Sequence, residues 1–295
     1  MAYTRINWAN YPATTTPVNA ENLNVMDAGI YNNAQNIATN TANIATNTNN
    51  ISTIQTNLMQ ANAAAHNAVY RGLDITADYT SGALWTNIKN GTFNNIYIGD
   101  YFNATINGTS FTLRIWAINY YYNKGDIAFT TPHILVVPDA IFTTAYMNST
   151  NITTGGYVGS DMYTTTLPTW AGYLSTTFGS HLLTNRELFD NTVNSNGQSS
   201  SWSWYSCQLA LLNEVQIYGT RAWSGNYGAL GYDIGIDYPI LPLVLFDNRN
   251  VINRTYWWLR TVVSSSTFSA VYYAGHADNR GASNVFGVRP RFLLG

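Results

Sequence analysis

Between residues 264 and 284 the sequence gathers side chains suited to recognition. Ser265, Thr267, Ser269, Tyr272, Tyr273, His276, Asp278, Asn279, Arg280, Ser283 and Asn284 fall there, interspersed with small residues. Two stiff apolar segments frame them: Tyr256-Trp257-Trp258-Leu259 before, and Val288-Arg289-Pro290 after. Tyrosine supplies contact area at low entropic cost, while serine and asparagine adapt their hydrogen bonds. In a chain only 9% charged, this mixture reads as a binding face. An inert polar loop is the alternative.

The spacing shows no catalytic motif. There is no G-x-S-x-G, Walker A, dinucleotide fingerprint, H-E-x-x-H or EF-hand loop. His66, His133, His181 and His276 are scattered without metal-ligand spacing. The single cysteine, Cys207, allows no internal disulfide and no cysteine-based metal motif. Glycoside hydrolysis would need two carboxylates that meet in space, with Glu187, Asp190, Glu214, Asp233 and Asp237 as candidates. Glu187 and Glu214 fall on or beside predicted helices, where solvent or a local partner takes a carboxylate. Asp233 and Asp237 lie in a turn-like run, where aspartate bonds its own backbone. The expectation is a non-enzymatic protein without metal or cofactor. Arg260 and Arg289, each beside an aromatic or apolar anchor, read as structural arginines that stack on Trp and bond backbone carbonyls.

The elements expected to position this face are mixed. Strands are predicted at Ile96–Ile98, Phe111–Ile118 and Ile134–Val137. A helix is predicted over about 167–183, with Pro168 in its first turn and a stripe of Trp170, Tyr173, Leu174, Phe178 and Leu182. A second helix is expected near 206–217. The fold class is α+β, with segregated helices and much loop. Net charge is −2 over 295 residues, which leaves no electrostatic footprint for nucleic acid or an anionic membrane. No secretory h-region is visible. The most apolar run, Ile240–Phe246, is too short to span a bilayer.

Residues 31–67 read as a stalk. From Asn36 the sequence in sevens is NIATNTA, NIATNTN, NISTIQT, NLMQANA. Ile37, Ile44, Ile51 and Leu58 recur as heptad position a, and Asn40, Asn47 and Ile54 follow at d. Asn and Thr are weak helix formers, so a lone helix of this composition is marginal and winding with copies of itself would stabilise it. A disordered Asn/Thr linker is the alternative. Buried Asn layers set register and oligomer number, and three chains are expected. At about 1.5 Å per residue the stalk would be on the order of 50 Å long. Upstream, residues 1–30 form a separate segment in which Asn19 can cap a helix and Glu21 suits its positive end.

Tyr256-Trp257-Trp258-Leu259-Arg260-Thr261, with the later Phe286-Gly287-Val288-Arg289-Pro290, resembles the ending of a bacterial and phage domain family. That family has a C-type-lectin-like fold related to the formylglycine-generating enzyme. Leu212–Gln216 with Tyr218-Gly219 is similar to its preceding helix. The enzymatic branch uses a cysteine pair, which a chain with only Cys207 cannot supply. Ile6-Asn7-Trp8, Tyr11-Pro12, Thr16–Asn24 and Met26-Asp27 resemble the start of tail-fibre and baseplate-attached proteins of phages of Gram-positive bacteria. Asn-at-d layers resemble those of trimeric fibrous adhesins and phage fibres. The resemblance implies a homotrimer in the virion tail: 1–30 docks on the tail or baseplate, 31–67 forms the coiled-coil stalk, and the 68–295 head meets a host-surface protein or glycan. It implies no nucleic-acid partner and no membrane insertion. The 264–284 stretch also resembles the variable region of targets of diversity-generating retroelements. A tail-borne glycan hydrolase and a purely structural baseplate protein are the rival readings.

Overall fold

The computed structural model describes residues 20–223 and 239–295. Most of the predicted attachment segment, including Asn19, lies outside them, as do Asp233 and Asp237. The chain divides between Leu58 and Met59 into two units.

In the first unit the backbone is helical from Ala20, within α1 (Ala20–Asn67). The seven-residue stripe is intact and uncovered: Ile37, Ile44, Ile51, Ile54 and Leu58 are 57–67% exposed, and Asn40 and Asn47 are exposed with them. The hydroxyls of Thr41 and Thr48 donate to the carbonyls of Ile37 and Ile44, 2.9 Å each. Such bonds satisfy the threonines along the helix.

In the second unit helices and strands mix in an α+β arrangement. After the short helices α2 (Thr76–Ser81) and α3 (Ala83–Lys89) come β1 (Tyr101–Ile106), β2 (Thr109–Ile118), β3 (Ile134–Pro138) and β4 (Thr143–Ala145). A π-helical turn at Met162–Thr166 leads into α4 (Leu167–Phe178). Then come β5 (Leu182–Leu183), β6 (Asn185–Val193), β7 (Ser199–Cys207), β8 (Leu209–Ala210), α5 (Glu214–Tyr218) and α6 (Pro242–Phe246). The chain closes with β9 (Trp257–Val262), β10 (Thr267–Val271), β11 (Ala277–Gly281), β12 (Phe286–Val288) and β13 (Arg291–Leu294).

One sheet has the order β1-β2-β3-β13-β5, with β8 also on β13; a second has the order β11-β10-β9-β12-β4; β6 and β7 form a separate ribbon. The C-terminal stretch thus supplies the middle of both sheets. β13 is wholly buried and pairs with β3 at Phe292–Val136. β9 sits between β10 and β12, with Trp257, Trp258 and Leu259 inaccessible to solvent. Burying each such side chain contributes roughly 1.5–3 kcal/mol.

The structure corrects several expectations. Ile96–Ile98 is not a strand: only Ile98 pairs, in a single bridge to Tyr70. The helix expected to reach 183 stops at Phe178, where Gly179 turns the chain at φ +54. Leu182 therefore belongs to β5. The helix expected near 206–217 covers only Glu214–Tyr218. Before it, Ser and Trp alternate over Ser201–Trp204 within β7, a period of two that favours a strand. Asn213 then starts the helix with a capping box closed by Gln216. Glu187 and Glu214, expected to meet solvent or a local partner, are each only 1% exposed.

Candidate functional site

β10 and β11 form a hairpin at one edge of the second sheet, so among the described residues β11 has a neighbouring strand on one side only. Opposed residues in an antiparallel pair share a face. Arg280 lies opposite Phe268 and Asp278 opposite Ala270, which is itself opposite Trp258. These side chains therefore lie on the same side as Tyr256, two residues before Trp258. Asn279 pairs with Ser269 and belongs to the other side.

Tyr256 is the hub of this side. Its ring stacks on Phe286 at 4.7 Å and meets Tyr272 edge-on at 4.8 Å. Tyr272 in turn contacts Tyr273 at 4.0 Å and stacks with His276 at 4.2 Å. The Arg280 guanidinium donates to the Tyr256 hydroxyl at 3.0 Å and pairs with Asp278 at 2.7 Å. A hydrogen bond between the Tyr272 and Tyr273 side chains raises the pKa of the Tyr272 phenol. The face thus combines a neutral phenol with one self-cancelling ion pair. Contact area and neutral hydrogen bonds dominate its chemistry.

The hairpin tip is tied down. Tyr272 N–H donates to His276 O, Gly275 N–H donates to Tyr272 O, and the Tyr218 hydroxyl reaches Gly275 O at 3.2 Å. Gly275 has φ +94, and a Cβ there would lie 2.7 Å from Ile252, so only glycine fits easily. At the other end, the turn of the β6–β7 ribbon touches the Ser264–Ser266 turn. A Cβ on Gly197 would stand 2.3 Å from the Ser265 nitrogen.

The expected site residues divide into groups. Tyr272, Tyr273, His276, Asp278 and Arg280 come together around Tyr256, with Tyr273 48% exposed. Ser283 and Asn284 lie beyond β11, where the Ser283 amide and hydroxyl both donate to Asn151 Oδ1 at 2.9 Å. Ser265 is exposed on the β9–β10 turn, and the Thr267 hydroxyl bonds that of Ser264 at 2.6 Å. Ser269 is fully buried, and its hydroxyl donates to Glu214 at 2.5 Å. It therefore belongs to the interior and not to the exposed group. Sequence reasoning missed the central role of Tyr256 and Phe286. The period of two from Trp258 back to Tyr256 was the available signal.

The second unit also holds a buried charge cluster. Glu187 on β6 pairs with Arg260 of β9 at 2.5 Å and with Arg291 of β13. The Tyr121 hydroxyl donates to both Glu187 oxygens at 3.3 Å and accepts from the Gln216 amide of α5 at 3.0 Å. Burial alone would push the Glu187 pKa up, but Arg260 and Arg291 outweigh it and hold the group below its ordinary value. Arg291 also donates to Asn185 Oδ1 at 2.8 Å and approaches the buried Cys207 sulfur at 3.4 Å. Arg289 lies between Trp116 and Trp257 and donates to the carbonyls of Pro138 and Asn250. Arg260 stacks on Phe189 rather than on Trp, and its Nη1 reaches the Leu211 carbonyl. Glu214 accepts the amides of Ala222 and Trp223 as well as Ser269. Among the described residues no group of three or more His, Cys, Asp or Glu could hold a metal ion, and no helix is long and apolar enough to cross a membrane.

Asp190, on the same ribbon as Glu187, makes a pH test of the packing around the ribbon. Burial pushes its pKa from 3.8 up to about 6, against the opposing hydrogen bond from the Ser199 hydroxyl at 2.9 Å. The folded chain then takes up this proton before the unfolded chain does. Its stabilising effect is full below about pH 4 and is lost as pH rises through about 6. The difference is about 3 kcal/mol at most. His133 works the other way. Burial lowers its pKa from 6.5 to about 4, and its Nε2 accepts the Tyr121 amide at 3.1 Å, so its neutral form stabilises the fold above about pH 6.5 and that effect fades in acid. Asp190→Asn is expected to raise the melting temperature at pH 7 and to leave it nearly unchanged at pH 4. Melting curves across that range check this; an equal shift at both pH values contradicts it.

A family described as a domain of unknown function, DUF6273, matches residues 243–295, a span that runs from α6 to the C-terminal strand and contains both the face and its two arginine-bearing flanks. No curated protein and no solved structure matches the chain.

Proposed function

We propose that the protein is a homotrimeric receptor-binding protein of a phage tail. In this reading residues 1–30 attach it to the tail or baseplate, 31–67 wind into a three-stranded coiled-coil stalk, and 68–295 form a C-type-lectin-like head. The head binds a host-surface protein or glycan through residues of the 264–284 stretch, some of them targets of retroelement diversification. The observation that carries the proposal is the partly exposed group of Tyr272, Tyr273, His276, Asp278 and Arg280 around Tyr256, mounted on a frame whose own side chains are buried. The uncovered seven-residue stripe of α1 supports the oligomer, and three heads would give avidity to a weak single site.

Incubation of the purified full-length protein with isolated cell walls of Gram-positive bacteria tests this reading. Adsorption to the walls without release of soluble sugar is the expected result. Release of reducing sugar would make the protein a glycan hydrolase. Absence from the walls of every strain, with retention on purified tail baseplates, would make it a structural baseplate protein.

A further inference from the structure

The heptad phase of the stalk does not stop at Leu58. Counting on in sevens, position a falls next on Ala65 and position d on Ala61 and Ala68. All three are exposed. Asn62, Ala63, His66 and Asn67 face the other way, while Ala64 is exposed as well. Ala63 is 2% exposed, Asn62 Nδ2 donates to Gly91 O at 3.2 Å, the His66 ring stacks on Tyr97 at 4.4 Å, and Asn67 bonds both backbone groups of Ile118. The end of α1 therefore has one face committed to its own head and another, on the stalk's phase, that carries only alanine.

An exposed apolar patch follows at once. Val69, Tyr70 and Leu73 are 45%, 40% and 52% exposed. Tyr70 meets Phe246 at 6.4 Å between ring centroids, and its hydroxyl donates to Asp247 at 3.3 Å. Phe246 and its neighbour Leu245 are themselves 47% and 67% exposed. The patch thus joins two segments far apart in sequence.

We infer that this patch is covered by a second copy of the chain, so that the heads pack against one another at the top of the stalk. The inference rests on the oligomer proposed above. Alanine at successive a and d positions lets backbones approach closely. The chain then delivers Val69 and Tyr70 two and three residues past the helix end, beside their counterparts. Head-to-head packing would hold the three binding faces in fixed mutual geometry rather than on independent swivels.

Cysteine trapping in the full-length protein tests this. Ile44→Cys reports on the stalk, Ala65→Cys and Leu73→Cys report on the heads, and Ser110→Cys serves as control. Cys207 is buried and adds little background. The expected result is a disulfide-linked pair for most chains of the first three variants under mild oxidation, and none for Ser110→Cys. Linkage at Ile44→Cys alone would overturn the head packing while the oligomer stands. Linkage at none of them, with monomer in sedimentation, would overturn the oligomer and this inference with it.

Discussion

Glu187→Gln is expected to lower the melting temperature of the head by roughly 6–20 °C. The substitution keeps the shape of the side chain and removes only the charge. Arg260 and Arg291 would then remain buried as two like charges without a counter-ion. Breaking a buried pair by removing one partner costs about 3–5 kcal/mol. At roughly 2–4 °C per kcal/mol for a domain of this size, the shift is easily measured by circular dichroism. Arg186→Gln is the matched control on the same strand. It breaks the ion pair with Asp126, whose two side chains are about one-third and one-quarter exposed, and solvent screening leaves such a pair with little influence on the melt. Equal melts for the two variants would contradict the role given to the cluster. A triple change of Glu187, Arg260 and Arg291 to apolar residues is expected to recover much of the loss, since apolar packing replaces buried ion pairs at little cost.

Replacing Ile37, Ile44, Ile51 and Leu58 together by serine is expected to turn the oligomer into a monomer. The native chain should sediment at three times its mass of 32.7 kDa, and the variant at that mass alone. These side chains are exposed in the single chain, so their loss removes nothing from the head. The head of the variant should melt as in the native protein. Binding to cells should fall by about 10²–10⁴-fold, the contribution of linked sites acting together. A variant that stays trimeric would contradict the assignment of the stripe. A variant that is monomeric yet binds cells undiminished would contradict avidity.

The parts legible in the sequence are those written as local period. The stripe of α1 follows from Ile37, Ile44, Ile51 and Leu58 alone, because a seven-residue repeat has one physical meaning on a helix. Strands β2 and β3 were legible as apolar runs. The flanking role of Arg289 was legible because an arginine between aromatic and apolar anchors has little else to do. The environment of Glu187 was not legible. Its partners Arg260 and Arg291 lie 73 and 104 residues away in sequence, and only the sheet topology brings them together. The β6–β7 ribbon was missed although Ser201–Trp204 alternates Ser with Trp. That period was overridden by Leu211, Leu212 and Val215, which fall on one side of a helix in a stripe begun at Gln208. Ser269 was placed on the exposed face because composition does not tell which way a strand residue points; the register of β10 with β9 decides it.

Binding of purified protein to a panel of Gram-positive bacteria, with and without alanine at Tyr272, Tyr273, His276, Asp278 and Arg280, tests the central claim most directly. Asp278 and Arg280 leave together, so no charge is stranded, and the variant should keep its oligomeric mass and cooperative melt. The account predicts that the native protein binds at least one strain and that the variant, still folded and trimeric, loses that binding. Equal binding by the two would place the receptor site elsewhere on the head and contradict the account.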